Sequence, residues 1–289
     1  MGLRGITRAP RTVTITVSAA GLLAGLAGCG SLSVFKPQAQ EAVAVPERAL
    51  SRPVDDSVLR FRLTAQQPEW PTGRLPAAPG FRQIDCARVK CVALTFDDGP
   101  GEYGTKVLDA LAAHGARATF FLIGQNITPK TRSYLARIVA EGHEIGNHTW
   151  DHADLTKLSA GKLRAELAHT TELIKAFTGV TPQVLRPPYG YTNRRVSDEA
   201  KRQGMAQIMW SIDTNDWHDH NPALVAKRTE AATPGSIVLL HEIQKTTVEA
   251  VPRILDQLDR KGFTYVTVSE LFGQHYLTAG GAYQRFDKA

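Results

Sequence analysis

The chain has 289 residues, of which 43% are hydrophobic and 21% are charged, and its formal net charge is +6. This composition excludes a disordered or collagen-like chain and is typical of a globular protein with a hydrophobic core. The positive charge does not indicate nucleic-acid binding, because the lysines and arginines form no block that could follow a phosphate backbone. A modest basic excess fits equally well with a protein that works against an anionic cell wall or membrane surface.

The first 29 residues have the pattern of an export signal. Arg4, Arg8 and Arg11 precede an apolar stretch over residues 12–28, which is the order of a secretory signal peptide. The stretch is short for a membrane span, which needs about 20 apolar residues. The sequence LAGC that ends at Cys29 resembles the lipobox of bacterial lipoproteins. We therefore expect lipidation of Cys29 and anchoring to the membrane, with an ordinary cleaved signal or an uncleaved anchor as alternatives.

Residues 30–85 are rich in proline, alanine, glutamine and arginine and show little periodicity. This composition predicts a linker, with room for one short strand at 57–63. Two further cysteines, Cys86 and Cys91, follow it. Two cysteines without further suitably spaced ligands make a poor zinc site, so we expect a structural disulfide, which an exported chain permits. A single folded domain is expected over residues 86–289.

From Cys91 onward, strand-like and helical patterns alternate, which predicts parallel βαβ units in an α/β fold. About seven such units in series favour a distorted (β/α)7–8 barrel over an open sheet. The predicted strands are 92–96, 118–124, 143–147, 183–185, 206–212, 236–240 and 263–268, and the helices are 105–114, 130–141, 161–177, 195–203, 222–231, 247–261 and a short one from 269.

Chemically capable side chains follow five of these strands. In a parallel barrel the carboxyl ends of all strands lie on one face, where catalytic groups gather. The convergence of acids, histidines and an arginine there predicts a functional site. Its members are Asp97 and Asp98, His148 and His152, Arg186, the group Asp213, Asp216 and Trp217, and His241.

The motifs TFDDGP, HTWDH, RPPYG, DTNDW and LLH occur in this order between Val92 and about Phe272. This series resembles the five motifs of the polysaccharide deacetylase family, also called the NodB homology domain or carbohydrate esterase family 4. The resemblance covers most of the chain after the linker. It implies a distorted (β/α) barrel and the metal-dependent hydrolysis of N- or O-acetyl groups on polysaccharides.

The resemblance implies that Asp98, His148 and His152 bind one divalent metal. One carboxylate and two imidazoles with open positions for water suit catalytic zinc, and cobalt, nickel or manganese are the alternatives. The HTWDH motif differs from the HExxH motif of zinc proteases, because Thr149 stands in the place of the glutamate base. The base must come from elsewhere, and by resemblance it is Asp97. A bound metal lowers the pKa of water to about 7, so that a nearby carboxylate can take its proton.

The remaining roles also come from the resemblance. The backbone N–H of Tyr189 would stabilise the oxyanion, His241 would protonate the leaving amine, Asp216 would orient His241, and Arg186 would hold Asp97 ionised. Trp217 and Leu239 would line the acetyl pocket. Asp213 is as consistent with a loop hydrogen bond as with a role in the site. Of the other histidines, we expect His218 and His220 to be solvated loop residues and His143 to pack structurally, and His114, His169 and His275 carry no functional signal.

Together these patterns predict an exported, lipid-anchored, monomeric hydrolase whose partner is an acetylated polysaccharide and not a nucleic acid. The envelope location favours N-acetylglucosamine of peptidoglycan as the substrate. Chito-oligosaccharide deacetylation and acetylxylan esterase activity are alternatives, as are a carbohydrate-binding pseudoenzyme and a structural envelope lipoprotein.

Overall fold

The computed structural model describes residues 80–273 and 277–287. The expected signal peptide, Cys29, nearly all of the linker with its candidate strand, and His275 lie outside these residues. Among the residues described, no helix combines the length and the apolar character that crossing a bilayer requires.

The described residues form a nine-stranded sheet in which all pairs of neighbouring strands are parallel. Its order is β6-β7-β1-β2-β3-β4-β5-β9, and β8 pairs with the beginning of β1. The strands are β1 (Cys91–Gly99), β2 (Ala118–Leu122), β3 (Glu144–Asn147), β4 (Val184–Leu185), β5 (Ala206–Ile208), β6 (Ile212–Asp213), β7 (Ser236–His241), β8 (Thr264–Tyr265) and β9 (Ala282–Tyr283).

Helices connect the strands at nearly the predicted positions. They are α1 (Gly104–Ala113), α2 (Arg132–Ala140), α3 (Ala160–Thr178), α4 (Arg194–Arg202), α5 (Asp216–Asp219), α6 (Pro222–Thr229), α7 (Lys245–Arg260) and α8 (Val268–Phe272). The short α5, which starts at Asp216, was not predicted. The alternation confirms the α/β class with parallel strands and the distorted barrel that the pattern favoured.

Residues on the two faces of β1 belong to different hydrophobic clusters, so this strand is buried on both sides. Leu94 and Phe96 pack with apolar residues of α1, α2 and α7 in one cluster. Ala93 packs with Val184 and Ile208 in another, on the concave side. Burial on both faces explains why the strand is a continuous apolar run and not an alternating one.

The predicted strand 206–212 is wrong as a single element, because the backbone changes partners within it. The Met209 N–H donates to Tyr283 O at 2.7 Å, beside β9, whereas the Ser211 N–H donates to Ile237 O at 3.0 Å, in β7. The sheet curls at this switch, and β9, which the periodicity did not predict, covers the edge of β5. The Phe286 N–H donates to Gly235 O at 2.9 Å, so the C-terminal segment also reaches the start of β7.

The predicted strand 263–268 is also too long. It ends at Tyr265, and α8 begins at Val268. The side chains of Thr267 and Glu270 each accept a hydrogen bond from the other residue's backbone N–H, which is a capping box. The sequence TVSE carried this helix-start signal.

The disulfide between Cys86 and Cys91 is present, with its Cα atoms 5.4 Å apart, so that prediction is confirmed. Both cysteines are buried in the concave-side cluster, and Cys91 is the first residue of β1. The bond therefore fixes the chain at the entry to the strand that carries the aspartate pair.

Replacing both cysteines of this bridge with serine should lower the free energy of unfolding by about 2 kcal/mol, the order expected for a short closed loop. Denaturant unfolding of the oxidised protein measures the change. Reductant is the control: it should lower the stability of the wild type to that of the variant and leave the variant unchanged. Equal stability of wild type and variant under oxidising conditions would contradict the prediction.

Candidate active site

The two adjacent aspartates at the end of β1 have different backbone conformations and different partners. Asp97 is in register with His241 on β7 and is 2% exposed. Asp98 has a φ of 69°, in the left-handed region that side-chain-bearing residues seldom adopt. The change in backbone direction between them sends one carboxylate to a buried arginine and the other to a pair of histidines.

Asp98, His148 and His152 form a compact cluster. One ligand atom from each lies within 4.8 Å of the others. The Asp98 Oδ1 atom is 3.4 Å from Nε2 of His148 and 3.6 Å from Nε2 of His152. This oxygen is buried and has no hydrogen-bond partner among the described residues. A buried carboxylate oxygen facing two imidazole nitrogens is the arrangement that a divalent cation would satisfy.

Hydrogen bonding at the far side of His148 fixes which ring nitrogen faces the cluster. His148 Nδ1 donates to the carbonyl oxygen of Arg186 at 2.6 Å, which leaves Nε2 free to act as a ligand. Such bonds orient metal-binding histidines. Burial opposes ionisation of Asp98, but the close approach and charge of the His148 ring outweigh it and lower the pKa of Asp98 to about 2. The donor set thus fits a divalent metal in both geometry and charge.

The i, i+4 spacing of the two histidines is not helical. Thr149 and His152 both have positive φ, 67° and 64°, so the chain makes a tight irregular turn that brings both rings to one side. Asn147 Oδ1 accepts from the Thr149 N–H at 2.8 Å, and Glu166 Oε2, from α3, accepts from the Trp150 N–H at 2.8 Å. Sequence reasoning missed these two supports, since a single polar residue on a strand or helix gives no signal of a loop contact.

Arg186 is fully buried and forms an ion pair with Asp97. Its Nη1 donates to Oδ1 of Asp97 at 2.8 Å and to the hydroxyl of Thr95 at 2.7 Å. Its other nitrogens donate to the carbonyl oxygens of Ile208 and Met209, both at 3.0 Å. The guanidinium therefore joins the end of β1 to the end of β5 and leaves Oδ2 of Asp97 free to face the histidines, 3.7 Å from His148 Nε2.

His241, at the end of β7 beside Asp97 in the sheet, is held by a buried carboxylate. Its Nδ1 donates to Oδ1 of Asp216 at 2.8 Å, and its backbone N–H donates to Oδ2 at 2.7 Å. The hydroxyl of Thr247, which sequence reasoning missed, also donates to Oδ2 at 2.6 Å. Burial lowers the pKa of His241, but the hydrogen bond and charge of Asp216 outweigh it and raise the pKa to about 9.

Three exposed aromatic residues follow these strands, Tyr189 and Tyr191 after β4 and Trp217 in the short helix α5. The ring of Tyr189 packs against His152 at a centroid distance of 4.6 Å, and Tyr191 packs against Tyr189 at 5.6 Å. Trp217 is 42% exposed and follows Asp216 directly. Leu239 is buried in β7. Sequence reasoning named Tyr189, Trp217 and Leu239 but not Tyr191.

The residues expected to lie outside the site have ordinary contacts. Asp213 accepts a hydrogen bond from the Asn215 N–H at 2.8 Å. This is the loop hydrogen bond that we expected as the alternative to a role in the site. His218 is exposed but lies in α5 and not in a loop, and it contacts Asp219 and the ring of Trp217, whereas His220 is exposed just after that helix. His143 is buried, and its Nδ1 accepts from the Ala118 N–H. Burial lowers the pKa of His143 to about 4.

A curled parallel sheet with a two-histidine, one-aspartate cluster at the carboxyl ends of its strands defines an α/β barrel with a candidate catalytic metal centre. The family model for polysaccharide deacetylase matches residues 85–208. A solved structure described as a T48 deacetylase with substrate is 44% identical and has a TM-score of 0.67, with coverage of 70% of this chain and 100% of that chain. The chain belongs to the polysaccharide deacetylase family.

Two further relatives indicate the range of the family. A peptidoglycan-N-acetylglucosamine deacetylase, PgdA, of Listeria monocytogenes is 39% identical over 217 residues, which are 74% of this chain and 45% of PgdA. A family 4 acetyl xylan esterase from Clostridium thermocellum, solved with a cobalt ion, is 34% identical with a TM-score of 0.60, over 63% of this chain and 90% of that chain. This chain therefore spans under half the length of PgdA.

Replacing Arg186 with methionine should destabilise the fold strongly, because the Asp97 carboxylate would stay buried without its partner. Breaking a buried ion pair in this way typically costs about 3–5 kcal/mol. Chemical denaturation measures the loss. The double variant Arg186→Met/Asp97→Asn, which removes the unpaired charge, should recover part of that loss. A double variant less stable than Arg186→Met would contradict this account of the pair.

Proposed function

We propose that this protein is a metal-dependent deacetylase that hydrolyses N-acetyl groups on a cell-wall polysaccharide. The observation that carries the proposal is the clustering of Asp98, His148 and His152, together with two buried pairs at adjacent strand ends, Asp97 with Arg186 and His241 with Asp216. A binding module would need the exposed aromatics but would have no use for an arginine-held carboxylate and a carboxylate-held histidine beside the ligand cluster. This combination favours an enzyme over the pseudoenzyme and structural alternatives.

The ligand cluster would hold one divalent cation, for which zinc is our first proposal and cobalt, nickel or manganese the alternatives. When bound, the cation would supply Lewis-acid polarisation and a lower pKa for water. Asp97 is the proposed general base. Its Oδ1 is held by Arg186, so Oδ2 can accept the proton of the water that attacks the acetyl carbonyl carbon.

His241 is the proposed general acid. Its Nδ1–H is committed to Asp216, so the proton on Nε2 is the one available to the departing amine. Breaking the C–N bond then releases a neutral amine and acetic acid, which ionises to acetate in solution. The backbone N–H of Tyr189 is the proposed oxyanion donor, a type of contact worth about 3 kcal/mol. Tyr189, Tyr191 and Trp217 offer exposed rings on which sugar faces could stack, and Leu239 would contact the acetyl methyl.

N-acetylglucosamine of peptidoglycan is the proposed substrate. Support comes from the matched PgdA, whose name states that activity, from the export-type N-terminus and from the net charge of +6. The export-type N-terminus also supports an exported protein that is tethered to the membrane through lipidated Cys29, and we further propose that it acts as a monomer. The apolar N-terminus and the proline-rich composition after it support the proposed division into a signal over 1–29 and a linker over 30–85, and the family match over 85–208 supports a deacetylase domain over 86–289. Acetylxylan is the second candidate substrate, because the Clostridium thermocellum relative is named for it.

The deciding experiment measures acetate release from peptidoglycan, acetylated chito-oligomers and acetylxylan, after metal removal and after addition of zinc or cobalt. We expect release from peptidoglycan, its loss with chelator and its recovery with metal. Asp97→Asn should lower kcat by about 10²- to 10⁴-fold while the bound metal content stays the same. His220→Ala, a change of an exposed histidine just after α5, is the matched control and should have no effect. Stoichiometric metal binding without acetate release from any of the three substrates would refute the proposal.

The proposed acid also predicts a pH dependence. The protonated form of His241 is needed, and it is present below its pKa of about 9 and lost as the pH rises through that value. The rate should therefore fall on the alkaline side. In Asp216→Asn the charge that raises this pKa is gone, so the alkaline limb of the kcat profile should move to lower pH. An unchanged alkaline limb in this variant, at reduced kcat, would exclude His241 as the titrating acid.

A further inference from the structure

The loop that follows Asp98 is wrapped closely over the end of β7. Gly99 has no space for a side chain, since a Cβ atom there would lie 1.7 Å from Oε1 of Glu242. At Gly101 a Cβ atom would lie 2.8 Å from Cγ2 of Ile243. The two glycines of the DDGPG sequence thus permit a close approach to the two residues that follow His241.

Glu242 is fully buried and makes two hydrogen bonds, one to this loop and one to α2. Its Oε1 accepts from the Gly101 N–H at 3.3 Å, and its Oε2 accepts from the hydroxyl of Tyr134. Tyr134 is itself buried, and its ring fills the position of the missing side chain of Gly104, where a Cβ would lie 2.5 Å from Cζ. Glu242 and Tyr134 together form a continuous support beneath the loop.

The proposed reaction gives Glu242 no role, although burying a carboxyl group is costly. Burial raises the pKa of Glu242 to about 8, with a smaller contribution from the charge of Asp98. A carboxyl group kept at this cost, one residue after the proposed general acid, calls for an explanation beyond filling space.

We propose that Glu242 is a positioning residue, which together with Tyr134 fixes the loop so that Asp98 keeps the conformation needed to bind metal. The inference rests on the proposed metal site. It adds a residue that touches neither metal nor substrate and acts only through the backbone of the loop.

The conformation of Asp98 is the reason why a support is needed. Its φ of 69° is unfavourable for a residue with a side chain and persists only where the surroundings enforce it. Two hydrogen bonds hold the loop on the β2 side, from Asn126 Nδ2 to Asp98 O at 3.0 Å and from the Ile123 N–H to Gly99 O at 2.8 Å. Glu242 holds it on the β7 side. Without Glu242 the backbone is free to relax and move the carboxylate away from the histidines.

The test measures binding of Co²⁺ to the purified, metal-free 289-residue chain, through affinity and the visible absorption of the bound ion. Glu242→Ala should bind Co²⁺ about 10- to 100-fold more weakly, the range found when supports of metal ligands are removed, and with an altered spectrum. Glu242→Gln keeps the shape and an oxygen for the Gly101 N–H, so its affinity should stay close to that of the wild type. A Gln variant as weak as the Ala variant would overturn the proposed role.

A variant on the loop side, Gly99→Ala, keeps the inference testable if Glu242→Ala folds poorly, and where both single variants fold a double-mutant cycle measures their coupling. Gly99→Ala should also weaken Co²⁺ binding, because its methyl group displaces the Glu242 side chain and the loop with it. In Gly99→Ala/Glu242→Ala the methyl group enters space that the missing carboxyl has vacated. The two losses should therefore be clearly less than additive. Additive losses would show that the two residues act independently and would contradict the inference.

Two further variants separate the failure of this inference from the failure of the proposed function. Glu144→Ala removes another buried glutamate, held by Thr119 and Ser269 at the beginning of β3 and so at the opposite end of the sheet. It should lower thermal stability and leave Co²⁺ affinity unchanged. His148→Ala should abolish binding. A wild type that binds no Co²⁺ would refute the metal site itself, whereas tight binding by both wild type and Glu242→Ala would refute only the role of Glu242.

Discussion

The buried guanidinium of Arg186 is the interaction on which the rest of the site depends. It pairs with Asp97, bonds the hydroxyl of Thr95 and takes two carbonyl oxygens at the end of β5, while its own carbonyl orients His148. A buried guanidinium without access to water needs hydrogen-bond acceptors from the protein. The ends of β1 and β5, which supply these acceptors, can therefore take few other arrangements. The buried Arg186 side chain thus holds the proposed base, Asp97, in place, and the Arg186 carbonyl orients one proposed metal ligand, His148.

The negative charges of the two neighbouring aspartates are balanced by different partners. Asp97 lies near the end of β1 and forms an ion pair with the buried, permanently charged Arg186. The positive φ of Asp98 instead turns its carboxylate toward His148 and His152. Each negative charge therefore has its own compensation. Strained backbone at Asp98, Thr149 and His152 is concentrated in the ligand cluster, as expected where function and not local stability sets the conformation.

The proposed chemistry and the choice of substrate belong to different parts of the molecule. The proposed ligands and the two buried pairs lie at strand ends fixed by the sheet, and solved relatives named for different acetylated glycans share this fold. The exposed rings of Tyr189, Tyr191 and Trp217 lie in the segments that follow the strands. Substitutions in these segments can therefore change which glycan is bound without disturbing the proposed metal site. This is general for barrels whose sites are built from loops on one face.

The sequence by itself determined the class of fold, the positions of most strands and helices, the disulfide and the residues that meet at one face. It could do so because periodicity and strand-end position are local properties, and parallel strands place their carboxyl ends together. Only the tertiary structure decided where 206–212 divides, that β9 covers β5, and that Asn147, Glu166, Thr247 and Glu242 support the site. Those features depend on contacts between residues far apart in the chain, and no local pattern in a single sequence encodes which buried polar group will meet which backbone.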